Sequence, residues 1–421
     1  MISKGILSCM SSTNEILEEC GMYKRQKYIE MIVPFINKPV IKVITGMRRS
    51  GKSTAMLQLI DYIIETGIDK ERIVYLNMES LDNEHLLDVR SLNNFVKEQM
   101  KKAGAKIFLF IDEVQEIPEW EKGVNSFFAN QEADIFITGS NSKLLSGELA
   151  TLLSGRYVEF FVQPLVFSEY AMFRSKKPDR ELFNEYLKYG GMPGIHHLEI
   201  EEQTIYQYLS AIHDSVILKD VIKRNNIRDV ALLEKIIQFV YDNISNIFSA
   251  RKVAEYFKNE RRAVGHETVL NYLNYLDCAF IIKKIPRFDL KGKKILEINE
   301  KHYAQDLGLR HALLGYKEKD INAYLENIIL NELIYRGYNV NIGKLDDYEV
   351  DFVATKRNEK LYIQVSYLLN SEKVREREYR PFYMINDNYP KYLLTLDEIP
   401  ESTDDGIIRK YLPSWLIEKS I

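Results

Sequence analysis

Gly46-Met47-Arg48-Arg49-Ser50-Gly51-Lys52-Ser53 has the spacing GxxxxGK[ST] and joins two segments of opposite character. Upstream, Val40-Ile41-Lys42-Val43-Ile44 reads as a buried strand; downstream, Thr54-Ala55-Met56-Leu57-Gln58-Leu59-Ile60 continues as a helix. The two glycines let the backbone turn tightly enough for successive N–H groups to wrap a phosphate, and the helix directs its positive end at the same charge. In such a loop Lys52 reaches the β- and γ-phosphates of a nucleotide and Ser53 offers its hydroxyl to Mg²⁺, while Thr54 packs or caps.

Downstream, Ile107-Phe108-Leu109-Phe110-Ile111-Asp112-Glu113 is an apolar strand ending in two carboxylates. Consecutive large hydrophobes suit a central parallel strand covered on both faces, and such sheets bind ligands at the carboxyl ends of their strands. Asp112 is therefore expected opposite Ser53 as a Mg²⁺ ligand, and Glu113 as the base that polarises a water. A third strand, Ile135-Phe136-Ile137-Thr138, runs into Gly139-Ser140-Asn141-Ser142. Ser140 and Asn141 are candidates to contact the γ-phosphate or the water, although Gly, Ser and Asn also suit a turn and a helix cap.

The loop, Phe110-Ile111-Asp112-Glu113-Val114-Gln115, Ile137-Thr138-Gly139-Ser140-Asn141-Ser142, Leu153-Ser154-Gly155-Arg156-Tyr157 and Pro164-Leu165-Val166-Phe167-Ser168-Glu169-Tyr170 together resemble a family of prokaryotic AAA-type P-loop ATPases with a C-terminal domain of unknown function. The resemblance continues through Tyr189-Gly190-Gly191-Met192-Pro193-Gly194 and Lys301-His302-Tyr303-Ala304-Gln305-Asp306-Leu307-Gly308-Leu309-Arg310, covering the chain from about Tyr23 onward. It implies an α/β nucleotide domain, ATP with Mg²⁺, and self-association. It also implies that Arg156 stabilises the γ-phosphate charge of a neighbouring subunit. A local ion pair of Arg156 with Glu159 is the competing reading. Arg48 and Arg49 could touch phosphate or be solvated.

Length and composition agree with an intracellular protein of several domains. The chain has 421 residues, 46% of them hydrophobic, and a formal net charge of −4. Cys9, Cys20 and Cys278 are too scattered for a disulfide framework or a metal cluster, which suits a reducing cytosol. His196 and His197 are adjacent rather than at ligand spacing and read as loop or surface residues. No apolar run is long enough to cross a bilayer, and the opening residues do not read as a secretion signal. Residues 1–21 read as a loosely attached leader, with Met22 as an alternative start.

Beyond the nucleotide domain, expected over 22–165, the sequence implies a helical lid over 166–235. A winged helix-turn-helix is expected over 236–318. Its helices are Phe248–Phe257 and His266–Leu276, followed by a strand from Phe280 to Ile285 and a basic hairpin. If this module meets DNA or RNA, Arg251, Lys252, Arg261, Arg262, Lys291 and Lys293 contact phosphates. Glu267, Thr268, Asn271 and Asn274 then face a groove. Such modules also serve as protein-packing units.

The segment 319–421 reads as a degenerate restriction-endonuclease-like α/β domain. A helix carries Glu326, one strand carries Asp351, and a second strand carries Gln364 and Ser366 where the pattern asks for an acid and a lysine. A neutral amide is a weaker Mg²⁺ ligand than a carboxylate, and serine cannot supply an ammonium charge, so cleavage is not expected. The leading reading is Mg²⁺-dependent ATP hydrolysis coupled to conformational change, acting on or with nucleic acid. A nucleotide-dependent protein switch or scaffold is the alternative, and an ATP-gated nuclease is the third class.

Overall fold

The computed structural model describes residues 23–131, 133–142, 153, 155–259, 264–398 and 400–419. The expected leader, Ser154, Arg261 and Arg262 lie outside the described residues. Two compact units result, one drawn from Met1–Gln163 with Cys278–Phe280 and the other from Pro164–Asp277 with Ile281–Ile421.

In the first unit, α1 (Gln26–Ile32) precedes β1 (Ile41–Thr45), α2 (Lys52–Glu65), β2 (Ile73–Asn77), α3 (Val89–Ala103), β3 (Ile107–Asp112), α4 (Trp120–Ala129), β4 (Ala133–Gly139) and β5 (Tyr157–Phe161). The sheet order is β2-β3-β4-β1-β5, and every pairing is parallel. Strands β1, β3 and β4 are buried along their whole length, as their largely apolar runs require. Their side chains pack with Leu92 and Val96 of α3 and Val124 and Phe127 of α4; each large aliphatic so buried contributes about 1.5–3 kcal/mol. Lys42 is the buried cation among the polar residues of these strands, which also include Thr45, Asp112, Asp134 and Thr138. Its ammonium lies 2.6 Å from Asp134 Oδ1 and 4.3 Å from the centre of the Phe136 ring, so the buried charge has a partner.

The second unit begins with α5 (Phe167–Phe173), α6 (Arg180–Tyr189), α7 (Glu202–Val216), α8 (Val230–Asp242), α9 (Ala250–Asn259) and α10 (His266–Cys278). The hairpin β6 (Ile282–Asp289) and β7 (Lys294–Ala304) follows, then α11 (Leu307–Leu314) and α12 (Ile321–Tyr335). The chain closes with β8 (Asn339–Leu345), β9 (Tyr348–Lys356), β10 (Glu359–Ser366), α13 (Glu372–Tyr383), β11 (Lys391–Thr395), β12 (Ser402–Asp404), β13 (Ile407–Tyr411) and α14 (Leu412–Ile417). These strands form one sheet in the order β12-β13-β11-β10-β9-β8-β6-β7. The hairpin joins it because Arg287, Phe288 and Asp289 pair in parallel with Ile342, Gly343 and Lys344. The sequence boundary drawn at 318/319 therefore crosses a continuous sheet.

Two motifs distant in sequence meet in this unit. Asp306 caps α11 by accepting from Leu309 N–H at 3.1 Å, and its other oxygen accepts from Gly191 N–H at 2.7 Å. Gly190 has φ +73°, and a Cβ there would stand 2.5 Å from Asp306 Oδ1, so glycine is required. Arg310, fully buried, donates to Tyr241 O at 3.0 Å, Gly315 O at 3.1 Å and Tyr324 Oη at 2.7 Å. His197 is exposed as expected of a loop residue, but His196 packs edge-on against Tyr170 at 4.8 Å.

Candidate functional site

The glycine loop follows directly from β1 and is held from two sides. Gly46 has φ +150°, and a Cβ there would come within 2.0 Å of the Val162 carbonyl oxygen; Gly51 has φ +97° as α2 begins. Ser50 donates through its hydroxyl to Val162 O at 3.0 Å. The buried Arg25 guanidinium donates to Ser50 O at 2.9 Å and to Gln163 O at 3.0 Å. These contacts brace the loop from within the chain itself, and preorganisation of this kind lowers the entropy cost of binding. Ser53 and Thr54 are half-buried in the first turn of α2.

Lys52 is 3% exposed, and its ammonium stands 3.3 Å from Glu113 Oε1 and 3.3 Å from Met47 O. Glu113 follows β3 in the left-handed region, φ +55°, a conformation that costs about 1 kcal/mol or more for a non-glycine residue. Burial pushes its carboxyl up, but Lys52, the Gln115 amide that donates to it, and Arg48 outweigh burial and hold it below its ordinary value.

Asp112, also buried, has both oxygens engaged: Oδ1 accepts from the Thr138 hydroxyl and Oδ2 from Tyr75 Oη at 3.0 Å. Thr138 Oγ1 in turn accepts from Glu113 N–H at 2.8 Å, so one hydroxyl ties the two acidic residues together. Burial and Asp112 raise the Tyr75 phenol above its ordinary value, keeping it a donor. The parallel register makes this meeting possible, since Asn77 pairs with Asp112, Ile111 with Ile137, and Thr45 with Gly139. Ser140 and Asn141 follow β4 and are both buried.

A second group of charges lies in the second unit. Asp351 N–H donates to Gln364 Oε1 at 3.3 Å, Val365 N–H donates to Asp351 Oδ2 at 2.8 Å, and the Gln364 amide donates to Glu378 Oε2 at 3.0 Å. Ser366 is buried and donates to Leu368 O at 3.5 Å. Glu326 of α12 meets residues of β7: Lys301 Nζ at 3.3 Å and Tyr303 Oη at 3.0 Å. Lys301 also lies 2.6 Å from Glu349 Oε1. Burial opposes the Lys301 charge, but Glu326, Asp351 and Glu349 outweigh it and hold its pKa above the ordinary value. Burial and Glu326 push the Asp351 carboxyl well up, with Lys301 opposing them.

Residues 38–171 match the family described as AAA domain, and residues 180–320 match a domain of unknown function. An uncharacterized protein of Haemophilus influenzae is 38% identical over 404 residues, which span 94% of this chain and 99% of that protein. Another, from Methanocaldococcus jannaschii, is 32% identical over 404 residues, 91% of this chain and 86% of that one. The chain belongs to this AAA-domain family. Among solved structures, a Walker-type ATPase of Pyrococcus abyssi aligns over 69% of this chain and 95% of its own, at 13% identity and a TM-score of 0.48. The first unit is an AAA-type P-loop ATPase-like domain with a five-stranded parallel sheet.

Several candidates stand apart from the AAA glycine loop. Arg156 precedes β5, and its backbone carbonyl accepts from Ile41 N–H, which places it at the strand ends opposite the loop. Its guanidinium donates to Asn125 Oδ1 at 2.5 Å and lies 5.8 Å from the centre of the Phe128 ring, while Glu159 accepts from Thr45 Oγ1 at 2.6 Å. The Arg156–Glu159 pair is therefore not formed. Arg49 is exposed, but Arg48 is largely buried and lies 2.6 Å from Glu79 Oε1, rather than solvated.

Arg251, Lys252, Asn271 and Lys293 are exposed, and Thr268 is half-buried. Arg251 pairs with Glu255 at 3.1 Å, Lys291 with Asp346, and Asn274 accepts from Lys284 Nζ at 2.8 Å instead of facing outward unengaged. Among the described residues no helix is long and apolar enough to cross a membrane.

Sequence reasoning missed Tyr75, Glu79, Arg25, Lys301, Glu349 and Glu378. The local signal at Tyr75 is its position two residues before the end of a strand adjacent to β3. Lys301 lay within a family-like motif, but nothing in the linear pattern joined it to Glu326.

Proposed function

We propose that this protein binds and hydrolyses ATP with Mg²⁺ in the cytosol and converts the phosphate state into movement used on nucleic acid. The observation that carries this reading is the Lys52–Glu113 contact across a glycine loop whose Gly46 leaves no room for a Cβ. That cradle fits a phosphate chain. The loop N–H groups and Lys52 would hold the β- and γ-phosphates, and Ser53 with Asp112 would hold the metal. When bound, Mg²⁺ supplies positive charge that draws electron density from the phosphate oxygens.

Glu113 is the base of this scheme. The Gln115 amide and Arg48, which stay beside it when Lys52 turns to phosphate, favour its ionised form, ready to accept a hydrogen bond from the attacking water. In exchanging Glu113 for phosphate oxygens, Lys52 releases that carboxylate, so substrate binding itself arms the base. Thr138 and Tyr75 fix Asp112, and Ser140 and Asn141 extend the polar rim at β4. Arg156 is exposed at the far end of the strands, a position from which it acts on the site of a neighbouring copy in a homo-oligomer. Exposed Arg251, Lys252 and Lys293 on the helix–helix–hairpin segment supply phosphate contacts to DNA or RNA.

ATP turnover on the wild type and Glu113→Gln, with and without DNA or RNA, tests the reading. The wild type is expected to turn over, with a stimulation by nucleic acid that weakens as salt rises. Glu113→Gln is expected to keep ATP binding while losing turnover by roughly 10²–10⁴-fold. Absence of hydrolysis under every condition overturns the hydrolase and leaves a nucleotide-dependent switch.

A further inference from the structure

In the second unit, Glu326 on α12 and Glu349 on β9 meet at Lys301, Asp351 shares a face of β9 with Glu349, and Gln364 joins Asp351 to Glu378 on α13. Carboxylates held out of water need compensating positive charge, because each is costly to bury alone. Glu378 has its own neighbour in Arg377, at 2.5 Å. For Glu326 and Glu349 the compensation comes from the chain itself. Lys301 and Tyr303, two residues apart on β7, share a face and both reach Glu326 Oε2. The Lys301 side chain is only 5% exposed.

A divalent metal ion draws oxygen ligands to about 2.0–2.6 Å around one point. Here the oxygens surround an ammonium at 2.6 and 3.3 Å, and among the described residues no group of three or more His, Cys, Asp or Glu side chains converges as a metal site. We propose that Lys301 is the resident cation of this cluster, occupying the place a divalent metal would take between Glu326, Glu349 and Asp351. The wild-type cluster therefore binds no metal and performs no metal-dependent cleavage of phosphodiesters. Lys301 thus contributes charge in a site where Gln364 and Ser366 supply none, but it does so as a plug.

The test is Lys301→Met, which keeps the stem and removes the charge. Thermal unfolding of the full chain is followed without nucleotide, in millimolar Mn²⁺ and in NaCl of equal ionic strength. Lys301→Met is expected to unfold several degrees earlier than wild type and to recover with Mn²⁺ but not with NaCl. The recovery is expected to vanish in Lys301→Met/Asp351→Asn, and Mn²⁺ is expected to leave the wild-type midpoint unmoved. A wild-type protein that binds Mn²⁺ in a manner abolished by Asp351→Asn overturns the proposal, as does Lys301→Met showing no selective response to Mn²⁺. Should Lys301→Met not fold, refolding in Mn²⁺ decides: recovered secondary structure supports the replacement, and continued failure overturns it.

Discussion

Lys52 and Lys301 are both buried lysines among carboxylates, yet they are built for opposite ends. Lys52 has one carboxylate contact at 3.3 Å and stands at the start of a helix, on a loop shaped by positive-φ glycine. Lys301 touches Glu349 at 2.6 Å and Glu326 at 3.3 Å, on β7, the last strand in the order of its sheet. A single weak partner can be exchanged for phosphate; a pair of partners cannot be given up without leaving carboxylates uncompensated. The number of counter-charges, more than depth of burial, separates a working ammonium from a structural one.

The sharpest way to break this contrast is to remove each charge. Lys52→Ala is expected to lose ATP turnover by roughly 10²–10³-fold, the scale of one preorganised electrostatic contact, with a smaller fall in thermal midpoint than Lys301→Met because Gln115 and Arg48 still face Glu113. Lys301→Met is expected to show the reverse, losing about 3–5 kcal/mol in denaturant unfolding while hydrolysis by the folded fraction is retained. Equal effects of the two substitutions on both measurements would erase the distinction.

Acid should divide the two units next. Burial lowers the imidazoles of His196, His302 and His311 to about 3 each, all in the second unit. The unfolded chain takes up these protons near pH 6.5 and the folded one does not, so the stability they permit is complete above about 6.5 and is lost as pH falls toward 3. Asp306 runs the other way. Burial raises it to about 6, so its contribution is largest below the unfolded carboxylate value and declines as pH rises to about 6. In the same unit the His213 imidazole is also lowered by burial and the Asp277 and Asp351 carboxyls are also raised by it, so four histidines oppose three carboxyls. Hydrogen exchange resolved by segment, from pH 7 to pH 4, should show the second unit losing protection first.

Smaller effects sharpen the description of the first site. Thr138→Val leaves Asp112 without one donor and Glu113 N–H without its acceptor, with an expected loss of about 2–3 kcal/mol in stability and a parallel drop in turnover. Tyr75→Phe removes one neutral donor from Asp112, worth about 1 kcal/mol. The expected readout is a roughly fivefold rise in the Mg²⁺ concentration for half-maximal turnover, with ATP binding in the absence of metal unchanged.

What the linear chain disclosed divides along the same physical line. Gly46–Ser53, Asp112 and Glu113 were legible because strand, turn and helix signals are local, and a run such as Ile107–Ile111 has few other places to go. Tyr75 and Thr138 were not, because their role depends on register between parallel strands that are far apart in sequence. Lys301 was hidden for a stronger reason. The pattern placed a lysine on β10, where Ser366 stands, whereas the structure brings the charge from β7, separated by two helices and two strands. The same long-range pairing joins the hairpin to the last segment, which read as separate modules because each has its own local signals.

The parallel pairing of Arg287–Asp289 with Ile342–Lys344 also sets a timetable for synthesis. As the chain leaves the ribosome, the β6–β7 hairpin emerges well before β8, and until then one edge of β6 presents unpaired N–H and C=O groups. Closing that edge requires α11 and α12 to be made first, so the second unit completes late and through a distant contact. A ribosome stalled between Gly315 and Leu345 would thus hold a chain whose open strand can find a partner only in another molecule.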